Sequence, residues 1–155
     1  MVPVIGHDHL RLGPEGVGFL ASTDGVGALC GAIAVALFAK AKHYQWLYVG
    51  SVTGYLITLT GFALAPDLPL AASAFVLTGV ASAAFSIMQA TIVYRSAPPE
   101  LRSRMLGVLS VCIGVGPIGF IHLGWLADLI GAQSATAVMG IEGLVAMLLT
   151  RRFWR

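Results

Sequence analysis

The chain has 155 residues, of which 57% are hydrophobic and only 10% charged, and its formal net charge is +2. Soluble domains carry about 25% charged residues, so a mean hydropathy of +0.87 excludes a globular protein with a solvated surface. The basic clusters are short and flank apolar stretches, which argues against nucleic-acid binding. The composition therefore predicts a protein whose surroundings are a lipid bilayer.

Five apolar stretches follow one another along the chain. A helix that crosses the hydrocarbon core needs about 20 predominantly apolar residues. Only helices and closed β-barrels can satisfy all their backbone hydrogen bonds in lipid. None of the stretches alternates polar and apolar residues as barrel strands do. We therefore predict an all-α membrane protein with about five transmembrane helices in one domain over residues 1–155. The predicted spans are 17–39, 46–65, 69–94, 105–130 and 135–150.

The basic residues fall in alternate gaps between these spans. Arg11 precedes the first span, and every other Lys or Arg follows the first, third or fifth span. Because cytoplasmic loops carry the excess of Lys and Arg, we predict that the amino terminus lies outside and the carboxyl terminus in the cytoplasm. The basic residues on the predicted cytoplasmic side are Lys40, Lys42, Arg95, Arg102, Arg104, Arg151, Arg152 and Arg155.

Glycine is abundant, with 19 residues, and much of it lies inside the spans. Gly27 and Gly31 form a GxxxG pair in the first span, and the fourth span is also glycine-rich. Small residues let helix backbones approach in lipid, so we predict that both spans lie at helix crossings, unless glycine is merely common in membrane helices. Pro117, between Gly116 and Gly119, predicts a bend that either acts as a hinge or serves packing alone.

Several polar residues lie at membrane depth, where a charged group costs free energy unless it is paired or hydrated, so its presence calls for a structural or functional explanation. Asp24 and Glu142 are candidates for proton coupling, in which a carboxyl group alternates between wet and dry surroundings; the alternative is an acid hydrogen-bonded for packing. Ser86 and Gln89 share one helical face and either line a substrate path or form interhelical hydrogen bonds. We interpret His122, in the fourth span, as a packed, neutral histidine, with a proton relay as the alternative.

Neither the cysteines nor the spacing of other reactive residues predicts an enzyme. Cys30 and Cys112 lie within apolar stretches and outside any CxxC or Cys/His spacing, so we interpret them as buried thiols that act as small hydrophobes. No Ser/His/Asp spacing, phosphate-binding glycine loop or metal-ligand cluster is present in the sequence. We therefore expect no metal, no cofactor and no catalytic residues.

The segment from Gln89 to Gly131 carries motifs that resemble a known family. After Gln89 comes the loop PPELRSRMLG at 98–107, followed by GPIG at 116–119 and GWLADLIG at 124–131. This pattern is similar to the carboxyl-terminal half of a major facilitator superfamily transporter, most of all in the enterobactin-exporter and macrolide-efflux branch. Ser103 stands where that branch usually has glycine. The stretches VPVI at 2–5, LGPEGVGFL at 12–20 and LLTRRF at 148–153 also fit.

The resemblance implies a fold and a function. The chain is expected to match helices eight to twelve of that fold and the end of helix seven, and so to be truncated. In the family a substrate cavity lies between two six-helix halves, which implies a missing amino-terminal half as partner. The implied function is secondary active transport in the bacterial inner membrane, as proton-driven efflux of a small amphipathic, drug-like or siderophore-like molecule.

The resemblance also implies roles for the loop residues Glu100, Arg102 and Arg104. They are expected to form part of a cytoplasmic charge network that biases gating, or else to serve only as topology determinants. For the chain as a whole, a non-transporting membrane subunit and an inactive transporter fragment remain as alternatives to half of a working transporter.

Overall fold

The chain folds into a helical bundle in a computed structural model, which describes residues 4–6 and 11–154. Within this part of the chain no strand forms, which confirms the all-α class. Residues 1–3, 7–10 and 155 lie outside it, and with them Val2 and Pro3 of the predicted end of helix seven and the last basic residue, Arg155. The helices are α1 (Pro14–Phe38), α2 (Tyr44–Ala63), α3 (Leu68–Ser96), α4 (Arg102–Ile113), α5 (Gly116–Ile130) and α6 (Ala132–Thr150).

Four helical segments are long and apolar enough to cross a membrane. They are Pro14–Phe38, Leu68–Ser96, Pro99–Ile130 and Ala132–Thr150. The third of them joins α4 and α5 with the turn before α4. The helix α2 is not among the four, although its 20 residues give it a length of about 30 Å. It packs between α3 and α6.

Local signals in the sequence set the ends of these helices. Proline stands in the first turn of α1 and of α3, where its missing N–H costs no hydrogen bond. The Asp67 carboxylate caps α3 by accepting a hydrogen bond from the Leu70 N–H at 3.0 Å. A single residue, Gly131, connects α5 to α6 with φ at 83°, a conformation that glycine adopts without steric cost.

The first span crosses α3 at backbone distance, as the glycine pattern predicted. Gly27 and Gly31 are buried, and a Cβ on either would collide with the backbone of Val76 or Val80 on α3. Gly79 makes the reciprocal approach to the α1 backbone. The contact position moves four residues forward on both helices, from Gly27 and Val76 to Gly31 and Val80, so α1 and α3 run parallel.

The helix α2 runs antiparallel to α3 and is joined to it by aromatic and polar contacts. The Phe62 and Phe75 ring centroids lie 4.7 Å apart, and the Thr58 and Thr78 hydroxyl oxygens lie 3.0 Å apart. Thr78 is buried, with 3% of its surface exposed. Phe62 and Phe75 also belong to a buried apolar cluster, which is completed by Ile5, Leu20, Ala65 and Ala71.

The helix α6 lies on the other side of α2 and is antiparallel to it. Gly140 approaches Thr60 and Gly143 approaches Leu56, so residue numbers rise along α6 while they fall along α2. The carboxyl ends of α1, α3 and α6 therefore share one end of the bundle with the amino end of α2. We call this the basic end, because all described Lys and Arg residues except Arg11 lie there.

The helices α4 and α5 differ from this packed region. In the described part of the chain neither contains a buried residue. A Cβ added at Gly107, Gly116, Gly119 or Gly124 would meet no packing neighbour within 4 Å. The prediction that the fourth span lies at a helix crossing is therefore wrong within this chain, because no neighbouring helix covers its glycines.

The prediction of two buried thiols is also wrong, since Cys30 and Cys112 are both exposed. The physical reason is the solvent. In a bilayer an apolar side chain gains nothing by leaving the surface, because lipid tails are as apolar as a protein core. An apolar sequence position therefore does not predict burial here.

Candidate functional site

Two ionisable side chains meet between α5 and α6. The His122 Nε2 lies 3.2 Å from the Glu142 Oε2, and the two side chains are 43% and 52% exposed. The Trp125 ring lies beside the imidazole, with centroids 6.2 Å apart. A proton on His122 can be donated to the carboxylate, and a proton on Glu142 can be donated to the ring nitrogen. The geometry therefore suits a pair that holds one proton on either partner.

Sequence reasoning singled out Glu142 but interpreted His122 as a packed, neutral histidine in preference to a proton relay. The structure instead exposes His122 and pairs it with Glu142. The two residues are 20 positions apart, which gives no local motif. They are, however, equally distant from Ala132 at the α5–α6 turn. In an antiparallel helical hairpin, residues equidistant from the turn face each other, and that symmetry was the signal available in the sequence.

Asp24, the second predicted acid, lies elsewhere in the bundle. It is half-buried on α1, its backbone carbonyl approaches Gly79 of α3, and its side chain interacts electrostatically with Tyr55 of α2. The helices pack in the order α1, α3, α2, α6. Because two helices separate α1 from α6, the structure does not bring Asp24 and Glu142 together.

The predicted path residues of α3 lie at a different level of the bundle from Asp24. Ser86 is exposed and Gln89 is half-buried. Gly79 lies at the same depth in the bundle as Asp24, because it approaches the Asp24 carbonyl. Gln89 lies ten residues further along α3, so it is about 15 Å from that depth along the helix. A role of Ser86 and Gln89 in a substrate path stays a prediction.

An aromatic contact holds Arg102 of the turn between α3 and α4 in place. The Arg102 guanidinium carbon lies 4.4 Å above the Tyr94 ring, and its Nη1 donates to the Tyr94 hydroxyl at 3.3 Å. Glu100 and Arg104 are exposed, and among the described residues no ion pair joins Glu100 to either arginine. The contacts therefore fasten the start of α4 to the end of α3 through a cation–π interaction. The charge network stays a prediction.

The predicted hinge coincides with an interruption of the helix. The helix α4 ends at Ile113 and α5 begins at Gly116, with Pro117 in its first turn. Between them the Val115 N–H donates to the Cys112 carbonyl at 3.3 Å, which is the tighter spacing of a 3₁₀ turn. The predicted span 105–130 is thus two helices, and Pro117 starts the second one instead of bending a continuous helix. Movement about this point stays a prediction.

A shallow cavity of about 620 Å³ lies near the α5–α6 turn. Its polar lining includes Asp128, Gln133 and Ser134. Within the described residues no group of three or more His, Cys, Asp or Glu side chains is placed to hold a metal ion. The cavity lies at the end of the bundle opposite the basic end, away from the middle of α6, where Glu142 lies.

Comparison with known proteins gives two matches. The family model of the Major Facilitator Superfamily matches residues 1–155. The chain is also similar to the multidrug efflux pump Tap of Mycolicibacterium fortuitum, with 26% identity over 143 residues. The alignment covers 89% of this chain and 35% of the pump, so the chain spans about a third of the length of this curated relative. No solved structure matches.

Proposed function

The chain is an integral membrane protein that belongs to the Major Facilitator Superfamily, and we propose that it forms one half of a secondary active transporter in a bacterial plasma membrane. The proposed cargo is a small amphipathic molecule, drug-like or siderophore-like, that the proton gradient drives out of the cell. The family and the similarity to a protein named as a multidrug efflux pump support export by a transporter and not catalysis by an enzyme.

The observation that carries this proposal is the contact between His122 and Glu142. Glu142 lies near the middle of α6, a helix long and apolar enough to span a membrane. Ionisable groups at that depth face a bundle interior or a water-filled cavity, since exposure to lipid is costly. Both side chains are about half exposed in this chain. We therefore place them on a wet or protein-covered path, where the pair takes up and releases a proton.

We further propose that an amino-terminal half covers this face. Alternating access needs two halves that move about a shared site, and the chain spans 35% of the similar pump. The second half belongs either to the same polypeptide or to a partner chain. We also propose that the basic end faces the cytoplasm, because Lys and Arg concentrate on that side of membrane proteins.

Three other groups of residues are proposed to serve the same cycle. The exposed position of Ser86 supports a path along α3. The interruption between α4 and α5 supports a hinge, and the position of Arg102 at the α3–α4 turn supports a role in gating. The proposed sets are Ser86 and Gln89 for the path, Glu100, Arg102 and Arg104 for gating, and Gly116, Pro117 and Gly119 for the hinge.

Flux in sealed vesicles tests the proposal. The chain is reconstituted with a matching amino-terminal half, and export of a fluorescent amphipathic dye is followed under an imposed proton gradient. We expect Glu142→Gln to abolish the dependence of flux on the gradient, and His122→Gln to weaken it. Glu15→Gln is the control, because Glu15 is an exposed acid in the first turn of α1.

Two outcomes would contradict the proposal. Gradient-driven flux that survives the combined Asp24→Asn and Glu142→Gln substitutions would remove both acids from the coupling mechanism. Absence of flux with every tested half and gradient, although the complex assembles, would favour a non-transporting membrane subunit.

A further inference from the structure

A groove between α2 and α3 opens at the basic end of the bundle. Its volume is about 460 Å³. The α2 wall consists of Leu47, Gly50 and Ser51, and the α3 wall consists of Val80, Ala81 and Ala84. Except for the Ser51 hydroxyl, these side chains are apolar and most are small. That hydroxyl donates to the Leu47 carbonyl of its own helix at 2.7 Å, so the groove offers little to a polar guest.

The groove is open to the lipid side of the bundle. A Cβ added to Gly50 would meet no atom within 4 Å among the described residues, so there is free volume at the centre of the α2 wall. Trp46, 74% exposed, stands beside the entrance. Tryptophan at the end of a membrane helix lies at the level of lipid headgroups. The entrance is therefore at headgroup depth, and the floor lies among the acyl chains.

Positive charge surrounds the same entrance. His43 lines the groove in the 3₁₀ turn Ala41–His43 that links α1 to α2. Lys40 and Lys42, in and next to that turn, are both exposed. Arg95 lies at the same end, 5.5 Å from the centroid of the Tyr44 ring. Basic pockets between membrane helices at headgroup level attract anionic lipid headgroups.

We propose that this groove binds one anionic phospholipid. The phosphate lies against Lys40 and Lys42, and one acyl chain lies in the groove beside Gly50. The apolar floor can accommodate an acyl chain, and the positive charges at the entrance favour an anionic over a zwitterionic headgroup. The site is separate from His122 and Glu142, and it does not depend on the transport proposal.

Quenching of Trp46 fluorescence tests the site directly. The chain carrying Trp125→Phe and Trp154→Phe keeps Trp46 as its single tryptophan and is reconstituted into phosphatidylcholine vesicles. A small fraction of the lipid carries brominated acyl chains, as phosphatidylglycerol or as phosphatidylcholine. We expect brominated phosphatidylglycerol to quench Trp46 as strongly as if its concentration around Trp46 were roughly fivefold or more above its share of the bulk lipid. An enrichment of that size is the effect of one or more basic residues at a membrane surface.

Two charge variants separate a defined site from diffuse attraction. Lys40→Gln with Lys42→Gln is expected to reduce quenching by brominated phosphatidylglycerol to the level of phosphatidylcholine. Arg104→Gln with Arg152→Gln removes the same charge from the same end, at residues outside the α1–α2 link and outside the groove lining, and is expected to change little. Equal quenching by both lipids in the parent, or equal losses in both charge variants, would overturn the proposal.

A groove-filling variant tests the acyl-chain part. Gly50→Leu is expected to lower quenching by brominated phosphatidylglycerol, whereas Gly61→Leu, at another open position of the same helix, is expected to leave it unchanged. Unchanged quenching in Gly50→Leu would place the acyl chain elsewhere and overturn the proposal. Circular dichroism checks that each variant stays helical, and Ser51→Leu fills the same wall if Gly50→Leu does not fold.

Discussion

Two glycine-rich regions of this chain pack in opposite ways. At the α1–α3 crossing, Gly27 and Gly31 lie against the backbone of the neighbouring helix. In α4 and α5, glycines are as frequent, yet the described chain offers them no packing neighbour. Both regions are apolar helices, so composition does not distinguish them. Glycine shows that a backbone can be approached closely, and only the neighbouring helix determines whether it is.

The largest effect should come from a methyl group at the packed crossing. In Gly27→Ala the new Cβ collides with the Val76 carbonyl, and a helix backbone cannot rotate away as a side chain can. We expect a loss of about 3 kcal/mol in the free energy of unfolding, the upper end for overpacking. Equilibrium unfolding in detergent micelles measures it. Gly25→Ala, at an open position of the same helix, is the control, and an equal loss there would contradict the comparison.

A smaller loss is expected where α6 meets α2. A Cβ at Gly140 collides with the Thr60 hydroxyl and comes within 3.3 Å of the Leu56 carbonyl. Because the Thr60 side chain can move, we expect Gly140→Ala to cost about 1–2 kcal/mol in the same unfolding measurement. Adding Thr60→Ala removes the hydroxyl and should restore part of the loss. If the double variant is no more stable than Gly140→Ala, the Thr60 hydroxyl is not the obstacle.

The polar contact within the packed region should contribute less than either glycine. Thr78→Val removes the hydroxyl that lies 3.0 Å from Thr58, and interhelical hydrogen bonds in membrane proteins average about 0.6 kcal/mol. Thr53→Val is the matched control, since the Thr53 hydroxyl bonds to Val49 of its own helix. A double-mutant cycle with Thr58→Val measures the coupling, and purely additive effects would rule out the bond.

The smallest effect is expected in the open region. Gly119→Ala should cause no loss of stability in the isolated chain, because the new Cβ meets no neighbour and alanine favours a helix over glycine. In the complex with an amino-terminal half, the same variant should reduce assembly if that half packs against α5. Co-purification of the two halves measures this, with Gly25→Ala as the comparison. Unchanged assembly would indicate that the open face of α5 contacts lipid and not the amino-terminal half.

The helices were largely predictable because their signals are local. Each predicted span begins and ends within three residues of a helix boundary, with α4 and α5 taken together. Apolar length set the spans, and residues such as Pro69 and Gly131 set their ends. The interruption before Gly116 was not predicted as a break, because Pro117 permits both a bend within a helix and the start of a new one. The neighbouring backbone decides between them.

The site was predictable only in part. Glu142 stands out in any apolar segment, because a carboxyl group at membrane depth is rare. Its contact with His122 depends on how α5 and α6 are aligned about their turn, and the electrostatic interaction of Asp24 with Tyr55 depends on the packing of three helices. The groove beside Trp46 depends on the spacing of α2 and α3. Such relations between helices are not encoded in the hydropathy of any one segment.

The single-residue connection at Gly131 limits how α5 and α6 can move. So short a link prevents the two helices from sliding past each other, and leaves a scissoring motion with Gly131 as its pivot. His122 and Glu142 each lie about 15 Å along their arms, so opening the scissors by about 10° would separate them by about a further 2.6 Å. That is enough to break their contact. The contact between His122 and Glu142 therefore depends on the angle between α5 and α6.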